Sequence, residues 1–190
     1  LKGRCRYCRQ KISWQYPLVE LATATIFLLI FVVLHDINIL SGIYLLVIAS
    51  FLIVIFVYDL KHYIIPDKIV YPAIVLALIF NFQTFSILSA AGAAAFFSVT
   101  VLASKGRWMG VGDVKLAFLM GLILGFPNIL VALFLAFFIG AIIGIGLMAF
   151  GKKTLKSEVP FAPFLISGTF AAIFFGEAII NWYLSLCWNC

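Results

Sequence analysis

Charged side chains are scarce in this sequence of 190 residues. Only 11% of the residues are charged, seven are acidic and two are histidines, whereas 65% are hydrophobic and the mean hydropathy is +1.21. A soluble domain cannot hide so large an apolar fraction around one core. The composition therefore excludes an ordinary soluble domain and indicates a polytopic membrane protein.

Long apolar runs predict the number of helices. A membrane-spanning helix needs about 20 apolar residues, and shorter segments occur inside a bundle. We predict an all-α bundle of about seven transmembrane helices, of which the third and fifth are short. The predicted spans are Tyr16–Leu34, Gly42–Tyr58, Ile69–Phe82, Ser86–Ala103, Val114–Phe126, Asn128–Phe150 and Phe161–Leu184.

The basic residues predict the orientation, because short cytoplasmic loops collect Lys and Arg. An N-terminus in the cytoplasm and a C-terminus outside place all 13 basic residues on the inner side. They are Lys2, Arg4, Arg6, Arg9, Lys11, Lys61, Lys68, Lys105, Arg107, Lys115, Lys152, Lys153 and Lys156. The net charge of +6 then reflects topology and contact with anionic lipid headgroups, and nothing in it indicates nucleic acid.

Two acidic residues fall at the same predicted membrane face. Asp59 follows the second span and Asp113 precedes the fifth. Hydrolysis of a peptide by two carboxylates requires one to accept a proton from water and the other to donate one to the substrate carbonyl. The start of a helix favours the ionised form and the end of a helix the protonated form. We therefore predict that Asp113 activates water and that Asp59 starts protonated.

Glycines surround the second of these acids in the stretch GRWMGVGDVKLAFLMG. Gly106, Gly110 and Gly112 loosen the backbone just before the fifth span. Irregular backbone at membrane depth is tolerated only where protein or a water-filled cavity surrounds it. The stretch therefore predicts a polar cavity at the inner face. The alternative is a flexible loop in which Asp113 caps the fifth span.

Other polar residues near these two acids have structural interpretations. Asp67, which follows Pro66, is predicted to cap the third helix. Lys115 is predicted to be an anchor at the inner face or a charge partner of Asp113. Asp59 alone would fit a headgroup-level carboxylate neutralised by a neighbouring cation. No Ser/His/Asp or Cys/His set falls at one face, which argues against a serine or cysteine protease.

The motifs resemble those of a known family. YDLKHYIIPD, followed by GVGDVKLA, resembles the bacterial type IV prepilin peptidases, which are membrane aspartic proteases of the Gly-x-Gly-Asp class. GRCRYCRQKISWQYPLVEL resembles the second half of that family's cytoplasmic tetracysteine segment with the helix that follows. The resemblance spans essentially the whole chain, and it implies a cytoplasmic segment over residues 1–15 and a peptidase domain over residues 16–190.

The resemblance implies a specific activity. Members remove the basic leader of prepilins or pseudopilins at the cytoplasmic face of the bacterial inner membrane, and many then methylate the new N-terminus with S-adenosylmethionine. Proteolysis itself needs no cofactor. The catalytic residues carried over are Asp59 and Asp113, with Gly110 and Gly112 completing the Gly-x-Gly-Asp motif. Asp67 also matches a motif position.

The cysteines depart from the family pattern. Members with a zinc-type head carry two Cys-x-x-Cys pairs, whereas this end of the chain has only Cys5 and Cys8, half of a four-ligand site. We expect coding sequence upstream of Leu1 to be missing. Cys187 and Cys190 form a second pair, but the predicted topology puts it on the opposite membrane face.

Three other classes stay open at this point. A proton-coupled transporter also uses membrane carboxylates, although it places them near the midplane between two repeats, and no repeat is evident here. A noncatalytic assembly scaffold would tolerate Asn in place of Asp59 and Asp113. Preflagellin peptidases and signal-peptide peptidase relatives are the nearest alternatives among enzymes.

Overall fold

The computed structural model describes residues 13–33, 38–106, 109–149 and 160–188, and regular structure in those ranges is α-helical. The all-α prediction is confirmed. The seven helices of the described ranges are α1 (Gln15–Val33), α2 (Ile39–His62), α3 (Asp67–Phe80), α4 (Thr84–Ser104), α5 (Val111–Leu124), α6 (Asn128–Ala149) and α7 (Ala162–Trp188).

Five of these helices, α1, α2, α4, α6 and α7, are long and apolar enough to cross a membrane. The prediction of a multi-pass membrane protein is therefore confirmed. Helices α3 and α5 have 14 residues each, about 21 Å at 1.5 Å per residue, against a hydrocarbon core of about 30 Å. They correspond to the two spans that were predicted to be short. The exact number of spans and the orientation stay predictions.

The chain divides into two compact units, Leu1–Ser50 and Phe51–Cys190. In the described part of the first unit, α1 exposes most of its apolar side chains, and Ile30 is its buried residue. The first part of α2 also belongs to this unit, where Ile48 and Ala49 are buried. The functional division after residue 15 is not tested by this split and stays a prediction.

Helix α5 is the centre of the second unit. It contacts α3, α4, α6 and α7, and the apolar side chains of its middle, Leu116, Ala117, Leu119, Met120 and Leu122, are buried. Gly121 lets α4 approach so closely that a β-carbon there would overlap the backbone of Ala90. Gly168 of α7 does the same against Ala132 of α6. Glycine therefore sets the spacing of the helices around α5.

Candidate active site

Asp59 lies in the last turn of α2, and its side chain is 4% exposed. Leu52 and Ile55, both fully buried, share its helical face because residues three and four apart lie on one side of a helix. This apolar face carries the carboxylate into the interior. The predicted span ended at Tyr58, before Asp59. That boundary was wrong, since polar residues do not end a helix by themselves and α2 continues to His62.

The carboxylate of Asp59 faces the start of α7. The backbone N–H of Ala162, the first residue of that helix, hydrogen-bonds to it. The Oδ2 atom of Asp59 is buried and has no hydrogen-bond partner within the part of the chain that the structure describes. Such an oxygen destabilises the fold, and buried polar atoms of this kind are rare enough to need an explanation. An active site in which this oxygen contacts a reacting group would explain why it has no partner within the protein.

Aromatic packing fixes the backbone at the start of α7. Phe161 precedes Ala162, and its ring centroid lies 5.3 Å from that of Phe137 and 6.2 Å from that of Phe97. Rings from α4 and α6 therefore hold the segment that contacts Asp59. The sequence does not reveal this contact. Pro163 in the first turn of α7 is a signal in the sequence that a helix starts here. The contact itself is made by a backbone N–H, which nearly every residue has, so no residue type in the sequence indicates it.

Asp113 is the third residue of α5, and its side chain is 8% exposed. Its Oδ2 accepts a hydrogen bond from the backbone N–H of Gly110 at 3.1 Å, and its own N–H lies 3.2 Å from the Gly110 carbonyl oxygen. The prediction that Asp113 precedes the helix was wrong by three residues, because α5 begins at Val111. The Gly110 N–H orients the carboxylate in the first turn.

The structure brings together the two acids that the sequence singled out. Both are buried in the second unit, close enough for a charge on Asp59 to affect Asp113. Each carboxyl group accepts one backbone N–H, Asp113 from Gly110 and Asp59 from Ala162. The Oδ2 atom of Asp59 is in addition buried without a partner in the described chain.

The three glycines of the motif have different roles. Gly106 has a φ of 73°, in the left-handed region where glycine is favoured, and it follows the end of α4. Gly110 is the N-cap of α5 with extended backbone. Gly112, expected to be irregular, is helical, and a β-carbon there would lie 3.0 Å from Cβ of Ile65. The predicted polar cavity is not tested by these observations and stays a prediction.

The interpretation of Asp67 as an N-cap was wrong. Pro66 occupies the N-cap of α3, with extended backbone and no side-chain cap, and Asp67 is the first helical residue. Asp67 Oδ1 accepts a hydrogen bond from Lys115 Nζ at 2.6 Å. Lys115 is therefore the partner of Asp67 and not of Asp113. Its ammonium also lies 5.0 Å from the ring centroid of Tyr71.

The predicted half zinc site cannot be placed. Cys5 and Cys8 lie outside the described residues, as does Cys190, and Cys187 lies near the end of α7. Within the described ranges, no group of three or more His, Cys, Asp or Glu side chains is placed to hold a metal ion. Metal binding by the N-terminal pair therefore stays a prediction.

Comparison with known families gives two matches. Residues 46–145 match the model described as the type IV leader peptidase family, and residues 1–34 match the bacterial peptidase A24 N-terminal domain. The first match contains Asp59, Asp67, Asp113 and Lys115. It covers most of α2, all of α3 to α5 and most of α6. No solved structure gives a significant match.

Curated relatives agree with the family models. Proteins named prepilin leader peptidase/N-methyltransferase are 33% identical in Aeromonas salmonicida strain A449, 32% in Legionella pneumophila and 31% in Bacillus subtilis strain 168, each over 97% of this chain. The chain spans 66% of the Aeromonas protein, 67% of the Legionella protein and 76% of the Bacillus protein. With the matched motifs and the helical membrane fold, this establishes that the chain belongs to the type IV leader peptidase family.

Proposed function

We propose that the chain is a membrane aspartic endopeptidase that removes the basic leader from type IV prepilins or pseudopilins. The observation that carries the proposal is the buried pair of carboxyl groups, Asp59 and Asp113, on two helices of one unit and within electrostatic reach of each other. Membership of the leader peptidase family and the names of the relatives give the substrate class. The proposed location is the bacterial inner membrane, with the pair at the cytoplasmic face.

The positions of the two carboxyl groups in their helices support different roles for them. Asp113 lies in the first turn of α5, where the helix dipole favours a carboxylate that accepts a proton from water, whereas Asp59 lies in the last turn of α2. Asp59 carries a buried oxygen that lacks a partner in the described chain, which suits a carboxylic acid that donates to the substrate carbonyl.

The reaction then balances in two steps. Water loses a proton to Asp113 while its oxygen bonds to the carbonyl carbon, and the carbonyl oxygen takes the proton of Asp59. In the second step the C–N bond breaks, the leaving nitrogen takes the proton from Asp113, and a hydroxyl of the tetrahedral intermediate returns a proton to Asp59. Both acids recover their starting states, and no cofactor takes part in either step.

The apolar helix of a prepilin fits the membrane setting of this site. Such a helix can enter the bilayer beside the bundle and bring the bond after the leader to the interface. Burial of apolar surface would then supply affinity, and the depth of the two acids would select the bond. This arrangement needs the N-terminus of the bundle inside, which is the orientation that the basic residues predict.

Methylation of the new N-terminus belongs to the same proposal. N-methyltransferase is part of the relatives' names, and this chain spans only part of their length. S-adenosylmethionine would be the methyl donor, and zinc would be the metal of a complete cysteine head. The proteolytic step is independent of both, because its groups lie in α2 and α5.

The test is cleavage of a prepilin that has a basic leader, a glycine before the cut and an apolar helix. The chain and the substrate are co-expressed, and the substrate mass is measured for wild type, Asp59→Asn, Asp113→Asn and Glu177→Gln. Glu177 is an exposed acid on α7 and serves as the matched control. We expect leader loss in wild type and Glu177→Gln only, and an added methyl group reports the second activity.

Two results would overturn the proposal. Cleavage that persists in both Asp→Asn variants excludes the two-acid mechanism. No cleavage in wild type, with the chain present in the membrane and several prepilins tried, removes the peptidase activity of this chain. A proton-coupled transporter would then be tested by acidification of proteoliposomes.

A further inference from the structure

A side-chain contact joins α5, which carries Asp113, to the start of α3, the helix that follows the one carrying Asp59. Lys115 is two residues after Asp113 in α5, and Asp67 is eight residues after Asp59, at the start of α3. Lys115 Nζ lies 2.6 Å from Asp67 Oδ1, so the two side chains bridge α5 and α3 directly. The contact spans 48 positions of sequence. It therefore belongs to the tertiary structure and not to local helix chemistry.

Two side chains of α3, Asp67 and Tyr71, contact the ammonium of Lys115. Tyr71 is four residues after Asp67, on the same face of α3, because residues four apart are neighbours on a helix. The Lys115 ammonium lies 5.0 Å from the Tyr71 ring centroid, within the range of a cation–π interaction. Lys115 is thus bound by a carboxylate and an aromatic face of one helix, which restricts it more than a single ion pair would.

The same two segments also touch at an apolar point. Ile65, just before α3, packs so closely on Gly112 that a β-carbon there would lie 3.0 Å from its own Cβ. The first turns of α5 therefore carry these interactions in order: Gly112 packs on Ile65, Asp113 lies within electrostatic reach of Asp59, and Lys115 forms an ion pair with Asp67. The first turn of α5 is attached on both sides of Asp113.

Stability is a poor explanation of the ion pair. The side chains of Lys115 and Asp67 are 25% and 56% exposed, and exposed ion pairs contribute little to folding because water screens them. Position is a better explanation. The N-cap of α5 is Gly110, which has no side chain to fix the start of the helix. A contact two residues beyond Asp113 limits movement of that turn.

We infer that Asp67 and Lys115 are positioning residues, which hold the first turn of α5 where Asp113 can act together with Asp59. The inference rests on the proposed peptidase function. Neither residue touches the reacting bond. Their contribution is geometric, since a displacement of about 1 Å at a reacting group lowers rates by up to about a hundredfold.

The kinetic test uses purified full chain in proteoliposomes with the prepilin substrate. We compare Asp67→Asn, Lys115→Met, the double variant and Lys115→Arg with wild type. Each single variant is expected to lower kcat about tenfold with KM unchanged, because a positioning residue changes the geometry of the reacting groups and not the contacts with the substrate helix. The kcat of the double variant should be no lower than that of either single variant, since both substitutions remove the same contact. Lys115→Arg keeps the charge and the aromatic contact, so its kcat should be much closer to that of wild type than the kcat of Lys115→Met is.

Lys68→Met is the matched control. Lys68 is an exposed cation in the first turn of α3, adjacent to Asp67, so its loss changes local charge without removing the bridge to α5. Its kcat should equal that of wild type. A tenfold loss in this control would show that surface charge, and not the Asp67–Lys115 contact, sets the rate.

A second measurement does not depend on activity. Amide hydrogen exchange of peptides covering residues 109–118 is followed in nanodiscs for the same variants. Loss of the bridge should speed exchange in this segment at least fivefold in Lys115→Met and Asp67→Asn, with Lys115→Arg and Lys68→Met unchanged. Exchange in α6 should not change in any variant.

These measurements separate failure of this inference from failure of the proposed function. Unchanged exchange in both single variants overturns the positioning role, whether or not the chain cleaves prepilin. The positioning role is also overturned if the losses of kcat in the two single variants multiply in the double variant. The same holds if Lys115→Arg is as slow as Lys115→Met. Faster exchange in a chain that cleaves no prepilin would support the bridge and overturn the peptidase proposal alone.

Discussion

Gly112 and Ile65 are in direct contact at the start of α5: a β-carbon on Gly112 would lie 3.0 Å from Cβ and 3.2 Å from Cδ1 of Ile65. Ile65 is buried and belongs to the segment between α2 and α3, and Gly112 precedes Asp113. The second glycine of the Gly-x-Gly-Asp motif is therefore explained by close packing.

Gly112→Ala should reduce prepilin cleavage on the order of tenfold, because the added methyl group pushes the first turn of α5 away from Ile65. Initial rates at saturating substrate measure the effect. Gly110→Ala is the control, since its β-carbon would meet atoms only at 3.8 Å and beyond. It should retain most of the rate.

Ile65→Ala combined with Gly112→Ala should recover part of that loss. The smaller side chain removes Cγ1 and Cδ1, which lets the segment before α3 adjust. If Gly110→Ala is as damaging as Gly112→Ala, or if the double variant is no better than Gly112→Ala alone, packing against Ile65 does not explain the motif.

Asp59→Asn should abolish cleavage while it leaves the fold intact. Asp59 is 4% exposed, and its Oδ2 has no partner in the described chain. Because the proposed mechanism has this acid protonated, Asn replaces one neutral buried group by another of nearly the same shape, and its amide oxygen can still accept the Ala162 N–H. The thermal unfolding midpoint in detergent is therefore expected to stay within roughly 2–4 °C of wild type, the shift that about 1 kcal/mol produces. A larger fall would mean that an ionised carboxylate at this position stabilises the helices around it.

Asp113→Asn and Asp113→Ala should be equally inactive but unequally stable. Asn keeps a side-chain oxygen that can accept the Gly110 N–H, whereas Ala leaves that donor in the first turn of α5 unpaired. We expect Ala to be less stable than Asn by about 1 kcal/mol, the usual size of a helix-capping contribution. Equal midpoints of thermal unfolding would show that the 3.1 Å hydrogen bond does not hold the turn.

The long helices were predictable from the sequence, because length and hydropathy are properties of a segment. The predicted start of α6 at Asn128 is the observed start. Helix ends near polar residues were less predictable. The predicted spans excluded Asp59 and Asp113, since a charge in an apolar run resembles a loop. Both acids are helical because neighbouring side chains and backbone groups bury them.

The candidate site was predictable only as far as residue types reveal it. The two acids and the glycines can be read from the sequence. The Ala162 N–H cannot, because every residue but proline has that group. The Asp67–Lys115 bridge joins positions whose distance in space no local pattern encodes. A helix cap was therefore predicted for Asp67, and a tertiary contact was found.

The spacing of α4 and α5 gives the last prediction. A β-carbon on Gly121 would overlap Cα of Ala90, lie 2.6 Å from its nitrogen and lie 2.9 Å from the carbonyl carbon of Ser89. These are backbone atoms, so no side-chain rotation can relieve the overlap, and α4 must move away from α5. Gly121→Ala should lower the free energy of unfolding by about 1–3 kcal/mol, measured as a lower thermal midpoint in detergent.

Two variants on α4 make this prediction specific. Gly92→Ala adds a β-carbon with nothing within 4 Å, so the better helix propensity of Ala should leave stability unchanged or raise it by up to about 1 kcal/mol. Ala90→Gly should not rescue Gly121→Ala, because the overlapping atoms of residue 90 remain in glycine. Full rescue would place the overlap on the Ala90 methyl group instead, and the two helices would be farther apart than the structure has them.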